Sequence, residues 1–399
     1  MTRGGLGETS KVRLAIAVTL ALLAPGAGAQ GQSSAAGRLA EARAHHTSTR
    51  LVDGRVLVIG GRGRDATEPL ASTELFDPRT GAWRRGPPMM TARSGHTATL
   101  LDDGRVLVVG GAAMAHDGSA RLEALASAEV LELGTMTWRE VGGLGEPRNG
   151  HSATKLRDGT VLVVGGAKPV HRHLASVERF DPVTGRFAVV RPLDQGRWLH
   201  DAVRLPDGTV VVLGGRSNQA LGEGGGDPPR GGLPLDTAEQ FDPTTGEWAA
   251  LPRLTEPRQR TAVVALGRRV LVFGGQTPAM TTNAVEWWEA PATRWAQPAT
   301  QLPSPLAGHT ASVLPTGDVL IVGGEPSEGV DTGAVNRWDA VRQRWCQAGR
   351  LRVSRKGHAA TVLHDGSVLI SGGTSGGLTE PTAERWRPTR GPCREPSGP

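Results

Sequence analysis

Short apolar runs recur along the chain, and each is closed by two glycines. Val56-Leu57-Val58-Ile59 leads into Gly60-Gly61, Val106-Leu107-Val108-Val109 into Gly110-Gly111, and further doublets end at Gly166, Gly215, Gly275, Gly324 and Gly373. Successive doublets lie 50, 55, 49, 60, 49 and 49 residues apart. An unalternating apolar run bounded by turn signals predicts a strand buried on both faces. A sheet-like unit repeated about every fifty residues predicts a propeller array, in which each blade is sandwiched between two others.

Each unit reads as four strands. The first is short and made of small residues, as in His96-Thr97-Ala98-Thr99-Leu100, which suits the crowded axis of a ring. An Asp-Gly turn follows at Asp53-Gly54, Asp103-Gly104, Asp158-Gly159, Asp207-Gly208 and Asp365-Gly366; such pairs accept positive φ and close two-residue hairpins. The apolar run is the second strand. The third carries a Glu and, two residues on, an aromatic: Glu74/Phe76, Glu178/Phe180, Glu239/Phe241, Glu286/Trp288 and Glu384/Trp386. Glu129 is followed instead by Leu131, and Asn336 stands in the Glu position before Trp338. A turn such as Asp77-Pro78-Arg79-Thr80-Gly81 then leads to a fourth strand opening on Trp83, Trp138, Phe187, Trp248, Trp295 or Trp345. Units five and six are the most degenerate, and neither keeps the Asp-Pro-x-Thr-Gly turn.

The doublet, the Glu-x-aromatic-Asp-Pro-x-Thr-Gly segment and the following Trp resemble kelch repeats. The resemblance covers essentially all of residues 30–395. It implies an all-β, seven-bladed kelch-type β-propeller with four-stranded blades. It says little about function, because propellers host many unrelated activities. The seventh unit lacks a good fourth strand after Trp386. Residues 30–42 occupy the place of a fourth strand ahead of Arg43, so this N-terminal strand is expected to dock on the last blade and close the ring. An open ring would leave unpaired edges.

Composition refines this picture at the N-terminus and in its charges. Lys11 and Arg13 precede the apolar run Leu14–Leu23, and Ala27-Gly28-Ala29 supplies small residues for cleavage. Residues 1–29 therefore read as a signal peptide, and the mature protein is expected to be secreted or periplasmic. No later run is long enough to span a bilayer. The net charge is +6, of which Arg3, Glu8, Lys11 and Arg13 contribute +2. So small an excess gives no reason to expect a nucleic-acid partner. Only four lysines occur, and the arginines read as a codon bias. Cys346 and Cys393 are the only cysteines, and an oxidising compartment permits a disulfide between them; two buried thiols are the alternative.

Candidate chemistry gathers in the loops that enter the first strands and those that follow Gly-Gly, which share one face of the ring. The entry loops carry Arg-x-x-His at Arg43/His46, Arg93/His96, Arg148/His151, Arg197/His200 and Arg355/His358. Unit five keeps Arg258 but has Thr261, and unit six keeps His309 but has Leu306. Repetition in nearly every blade argues for a structural job. The functional reading is a basic ring around one channel mouth, able to hold acidic groups through charge-assisted hydrogen bonds. Trp198, between Arg197 and His200, is an aromatic outside the repeat pattern and a candidate stacking platform; packing beneath the loop is the alternative. Arg216 opens the longest loop, Arg216–Leu235, which contains Gly224-Gly225-Gly226 and is expected either to reach over the mouth or to be a bare insertion. His45, His46, His171 and His173 fall near one another in the repeat frame, but without a cysteine or a tight cluster they do not define a metal site.

No cofactor is expected. Kelch-type copper oxidases resembling galactose oxidase depend on tyrosines, and this chain contains none. Kelch-type epimerases or mutarotases would need an acid–base pair, for which Glu325, Asp331, Asp117 and Asp65 lie in suitable loops. The leading expectation is a monomeric, non-catalytic propeller that binds a glycan or a protein, with an anionic group favoured. A carbohydrate-modifying enzyme and a structural or adhesion module are the alternatives.

Overall fold

The computed structural model describes residues 31–64, 67–115, 117, 119, 121–168, 172–218 and 232–388. Seven antiparallel sheets stand around one axis. In the first, Thr47–Arg50, Val56–Ile59, Thr73–Asp77 and Ala82–Arg85 are laid down in chain order from the inside outward. The innermost strands Thr47–Arg50, Thr97–Leu100, Ser152–Lys155, Asp201–Arg204, Ala262–Leu266, Thr310–Val313 and Ala359–Val362 each touch the next, and the last touches the first. The ring is closed.

Closure uses the N-terminal strand, as expected. Gln32–Arg38 pairs antiparallel with Thr382–Arg387, setting Ser33 opposite Trp386 and Ala35 opposite Glu384. The seventh blade thus takes its outer strand from the start of the chain. The fifth blade departs from the four-strand expectation. Its ladder holds only Ala262–Leu266, Arg269–Phe273 and Val285–Trp288. A single bridge from Trp287 to Ala296 covers its outer edge.

Burial explains the apolar runs. Every residue of Val106–Val109 and of Val319–Val322 is buried, because both faces of a blade meet a neighbour. One core cluster lies at each of the seven blade interfaces. Leu107 and Val109 of blade two, for example, meet Val161, Val163 and Phe180 of blade three. Val56 and Phe76 meet Leu369, Ala383 and Ala36 at the seam. The repeat tryptophans tie blades as well as filling space: Trp138 donates to the Pro87 carbonyl and Trp386 to that of Ala348.

The Gly-Gly doublets are a blade-to-blade joint. The second glycine donates its N–H to the carbonyl of the next blade's entry arginine, as from Gly61 to Arg93 at 3.0 Å and from Gly373 to Arg43 at 2.8 Å. Both glycines have positive φ. A Cβ on Gly110 would stand 2.6 Å from the Arg148 carbonyl oxygen, so the approach excludes any side chain.

Residues 1–30 lie outside the described residues, and the expected signal peptide with them. Cys346 is buried on the outer strand of blade six and disulfide-bonded. Cys393, the second cysteine of the expected bridge, lies outside the described residues.

Candidate functional site at one mouth of the channel

The repeated arginines do not form a basic ring at the surface. Arg43, Arg93, Arg148, Arg197, Arg258 and Arg355 are fully buried. Each pairs with the third-strand Glu of its own blade: Arg43 with Glu74 at 2.9 Å, Arg93 with Glu129 at 2.5 Å, Arg148 with Glu178 at 2.7 Å, Arg197 with Glu239 at 2.8 Å, Arg355 with Glu384 at 3.1 Å, and Arg258 with Glu286. The same guanidinium donates to the carbonyl of the first glycine of its doublet, as from Arg148 to Gly165 at 2.8 Å. The glutamate in turn accepts backbone N–H groups of the incoming loop, as Glu129 does from Met90 and Thr91. These six side chains are spent on architecture, and the ligand-binding assignment made for them is corrected. Burial lowers their pKa values, and the paired glutamates oppose that shift. Blade six has Leu306 in place of the arginine and Asn336 in place of the glutamate. Losing both partners avoids an unpaired buried charge.

The entry histidines form a girdle one layer below. His96 meets the Thr47 hydroxyl, His151 that of Thr97, His200 that of Ser152 and His358 that of Thr310, all at 2.9–3.0 Å and each to the preceding blade. Where Thr261 replaces the histidine, Asp201 replaces the hydroxyl, and the two bond to each other. Burial pushes the Asp201 carboxyl up to about 6. His309 has Ala262 in the position where four other blades supply a hydroxyl, and it makes no hydrogen bond to a side chain among the described residues.

The exceptions to the repeat sit above this girdle, at the channel mouth. The third residue of each entry motif is in the left-handed region: His45, Gly95, Gly150, Leu199, Arg260, Gly308 and Gly357, with φ between 53° and 62°. Six backbone bonds link these residues into a rim, among them Gly150 N–H to the Gly95 oxygen at 3.0 Å and His45 N–H to that of Gly357 at 3.1 Å. Outside the rim, the second motif residue bridges to the residue after Gly-Gly: Ala44 to Arg62, Ser94 to Ala112, Asn149 to Ala167, Trp198 to Arg216, Ala307 to Glu325 and Lys356 to Thr374.

The rim is therefore regular in backbone and irregular in side chains. Blades two and three present Ser94, Gly95, Ala112, Asn149, Gly150 and Ala167, where blades one and four present His45, Arg62, Trp198 and Leu199. The small residues leave a cavity of about 490 Å³ walled by His45 and Arg62 at one end and Trp198 and Leu199 at the other. Arg121, Leu122 and Lys168 complete the wall. Trp198 is half-buried and fixed: its indole N–H donates to Asn149 Oδ1 at 3.1 Å, and its ring stacks on His173 with centroids 5.7 Å apart. Arg216 lies behind it and donates to the Gly232 carbonyl at 2.7 Å. Residues 219–231 of its loop lie outside the described residues.

Sequence reasoning missed Arg62, Arg260 and Lys356. Arg62 is half-buried, lines the cavity and, among the described residues, makes no side-chain hydrogen bond or ion pair. Arg260 and Lys356 share Glu325, and Lys356 also lies 3.5 Å from Asp331. The walls of the mouth, then Arg62, Arg260 and Lys356, push His45 down to about 4, so it is neutral near pH 7. The signal that could have found these residues is the break in the pattern. His45 and Arg260 stand where four other blades have glycine.

Two of the acid–base candidates, Glu325 and Asp331, meet on Lys356, which holds them as ion-pair partners. Burial raises the Glu325 carboxyl, but bonding to Lys356 and Arg260 outweighs it and holds the pKa below the usual value. It is an ionised bridge with no proton to give. Asp117 is exposed and bonds to Ser119, Asp331 accepts from the Gly376 N–H at 2.8 Å, and Asp65 lies outside the described residues.

The fold and this mouth define a closed seven-bladed β-propeller whose irregular side chains gather at one end of its channel. Residues 29–215 match the KLHDC2/KLHL20/DRC7 Kelch-repeats domain, and the chain as a whole resembles kelch-repeat propellers. Among solved structures it is similar to a fungal alcohol oxidase of the AA5 family in complex with copper, at 16% identity and a TM-score of 0.68, over 91% of this chain and 77% of that one. It is also similar to YjhT, at 14% identity and a TM-score of 0.58, over 75% of this chain and 96% of that one. At such identities the likeness is one of fold. Among the described residues no three His, Cys, Asp or Glu side chains come together to hold a metal ion, and four girdle histidines are bonded to the hydroxyls of their neighbours.

Proposed function

We propose that this chain is an exported, non-catalytic binding propeller whose ligand, a group on a glycan or a protein, enters the cavity above blades two and three. The carrying observation is that cavity. It exists because small side chains at the rim of two adjacent blades lie between Arg62 on one side and a rigidly held Trp198 on the other. A concave site with a few convergent polar groups on a rigid scaffold suits recognition. The pinned, ionised Glu325 favours binding over acid–base chemistry. The pattern of residues 1–29 supports export.

The test fills the cavity without disturbing the fold. Gly95 has φ 62°, and a Cβ there would come no nearer than 3.8 Å to another atom. Leu199 already occupies the equivalent rim position with φ 53°. Gly95→Leu should therefore fold, at a cost of roughly 1–2 kcal/mol for the left-handed backbone, and should lose ligands found by screening the wild-type mature protein on glycan and peptide arrays. Undiminished binding by the folded variant would place the ligand elsewhere.

A further inference from the structure

Resting on the mouth cavity as the ligand site, we propose that its ligand is an acidic sugar, a pyranose ring bearing a carboxylate, with the carboxylate on Arg62 and the ring against Trp198. The described lining carries Arg62, Arg121 and Lys168 and no carboxylate. Arg121 already holds Glu123 at 2.8 Å, and Lys168 holds Glu146. Among the described residues Arg62 pairs with no carboxylate. A half-buried guanidinium with all five N–H donors uncommitted matches a carboxylate in a bidentate fork. Arg260 and Lys356 are close enough to act on the His45 imidazole, as Arg62 is, and pair with Glu325, with Asp331 also near Lys356. His45, kept uncharged by burial first and then by these cations, is left to exchange a neutral hydrogen bond with a hydroxyl.

The far wall asks for a ring. Trp198 is locked by Asn149 and His173, so stacking a sugar face on it costs little side-chain entropy. Between the two ends lie small residues that leave room for a ring, and a volume of about 490 Å³ is that of a small-molecule pocket. A bare phosphate or a peptide carboxylate would use Arg62 but leave the platform at Trp198 idle.

The probes are oligogalacturonates of two and three residues and the same oligomers with their carboxylates reduced to alcohols, titrated calorimetrically into the mature protein. The wild type should bind the acid form at least tenfold more tightly than the reduced form, with the difference shrinking at high salt. Arg62→Ala should erase the difference at an unchanged melting temperature, Arg62→Lys should keep part of it, and Trp198→Ala should weaken both forms. Equal binding of both forms, unaffected by Arg62→Ala but lost in Gly95→Leu, would overturn the acidic class while leaving the cavity as the site. Binding of an acidic peptide but of neither oligomer would also overturn the sugar. Oligomer binding that survives Gly95→Leu would remove the cavity and the proposal together.

Discussion

At the scale of single residues, each buried arginine and its glutamate stand or fall together. Removing one partner leaves a buried charge with nothing opposite it, which costs roughly 3–5 kcal/mol, whereas replacing both can be nearly neutral. Arg148→Ala and Glu178→Ala should each lose about that much in chemical denaturation. The double variant Arg148→Leu/Glu178→Asn, which copies blade six, should recover most of it. Additive losses in the double variant would contradict the pairing. The girdle makes a second prediction. His96, His200 and His358 are held at about 3 and His309 at about 4, by burial first and then, in each case, a nearby arginine. Their unfolded pKa is about 6.5. A depressed histidine gives its full stability above the unfolded pKa and loses it as pH falls towards the folded one, at up to about 1.4 kcal/mol per pH unit for each group. Asp201 opposes this. Its raised pKa makes ionisation unfavourable above about pH 4, and acidification from 6 to 4 relieves that strain. Four histidines against one aspartate leave a net loss, so denaturation midpoints should fall steadily from pH 6.5 to 5. A flat profile over that range would contradict the neutral girdle.

At the scale of the element, strands and turns were legible because their causes are local. Doubly buried runs cannot alternate, and the doublet permits no Cβ. The Asp-Gly pairs do mark turns, but the expected two-residue hairpins are longer, as where the Leu51 N–H bonds to the Arg55 oxygen around Val52, Asp53 and Gly54. The closing strand was legible as a gap, since the last unit lacked a partner that residues 30–42 could supply. Deleting those residues removes buried Leu39, worth about 2 kcal/mol, and exposes the ladder edge of Thr382–Arg387. The melting temperature should drop by more than the Leu39→Ala variant alone produces; an unchanged melt would mean the ring closes without that strand. The fifth blade's missing outer strand was only half legible. Loss of its Asp-Pro-x-Thr-Gly turn marked it as degenerate, but Trp295 still signalled a strand. In the structure Trp295 keeps the tie to the preceding blade, donating to the Pro252 carbonyl at 2.7 Å, while the ladder behind it is reduced to one bridge.

At the scale of the whole molecule, the repeat frame was visible in the sequence and the site was not. Recurrence in nearly every blade argued for a structural job for the arginines, and their burial against glutamates bears that reading out over the basic ring. The same reasoning did single out Trp198, an exception, which lies in the wall of the mouth. Arg62 and the small residues Ser94, Gly95, Asn149 and Gly150 went unread because a cavity depends on which positions become neighbours around a closed ring. No single repeat contains it. The blades that lack bulk are adjacent, and their flanking blades carry a cation and an aromatic. On this reading the gap holds the ligand. Calorimetric titration of the array-identified ligand into wild-type and Gly95→Leu protein tests it most directly. Gly95→Leu should lose at least tenfold in affinity while keeping a cooperative melt. Unchanged affinity in the folded variant would contradict it.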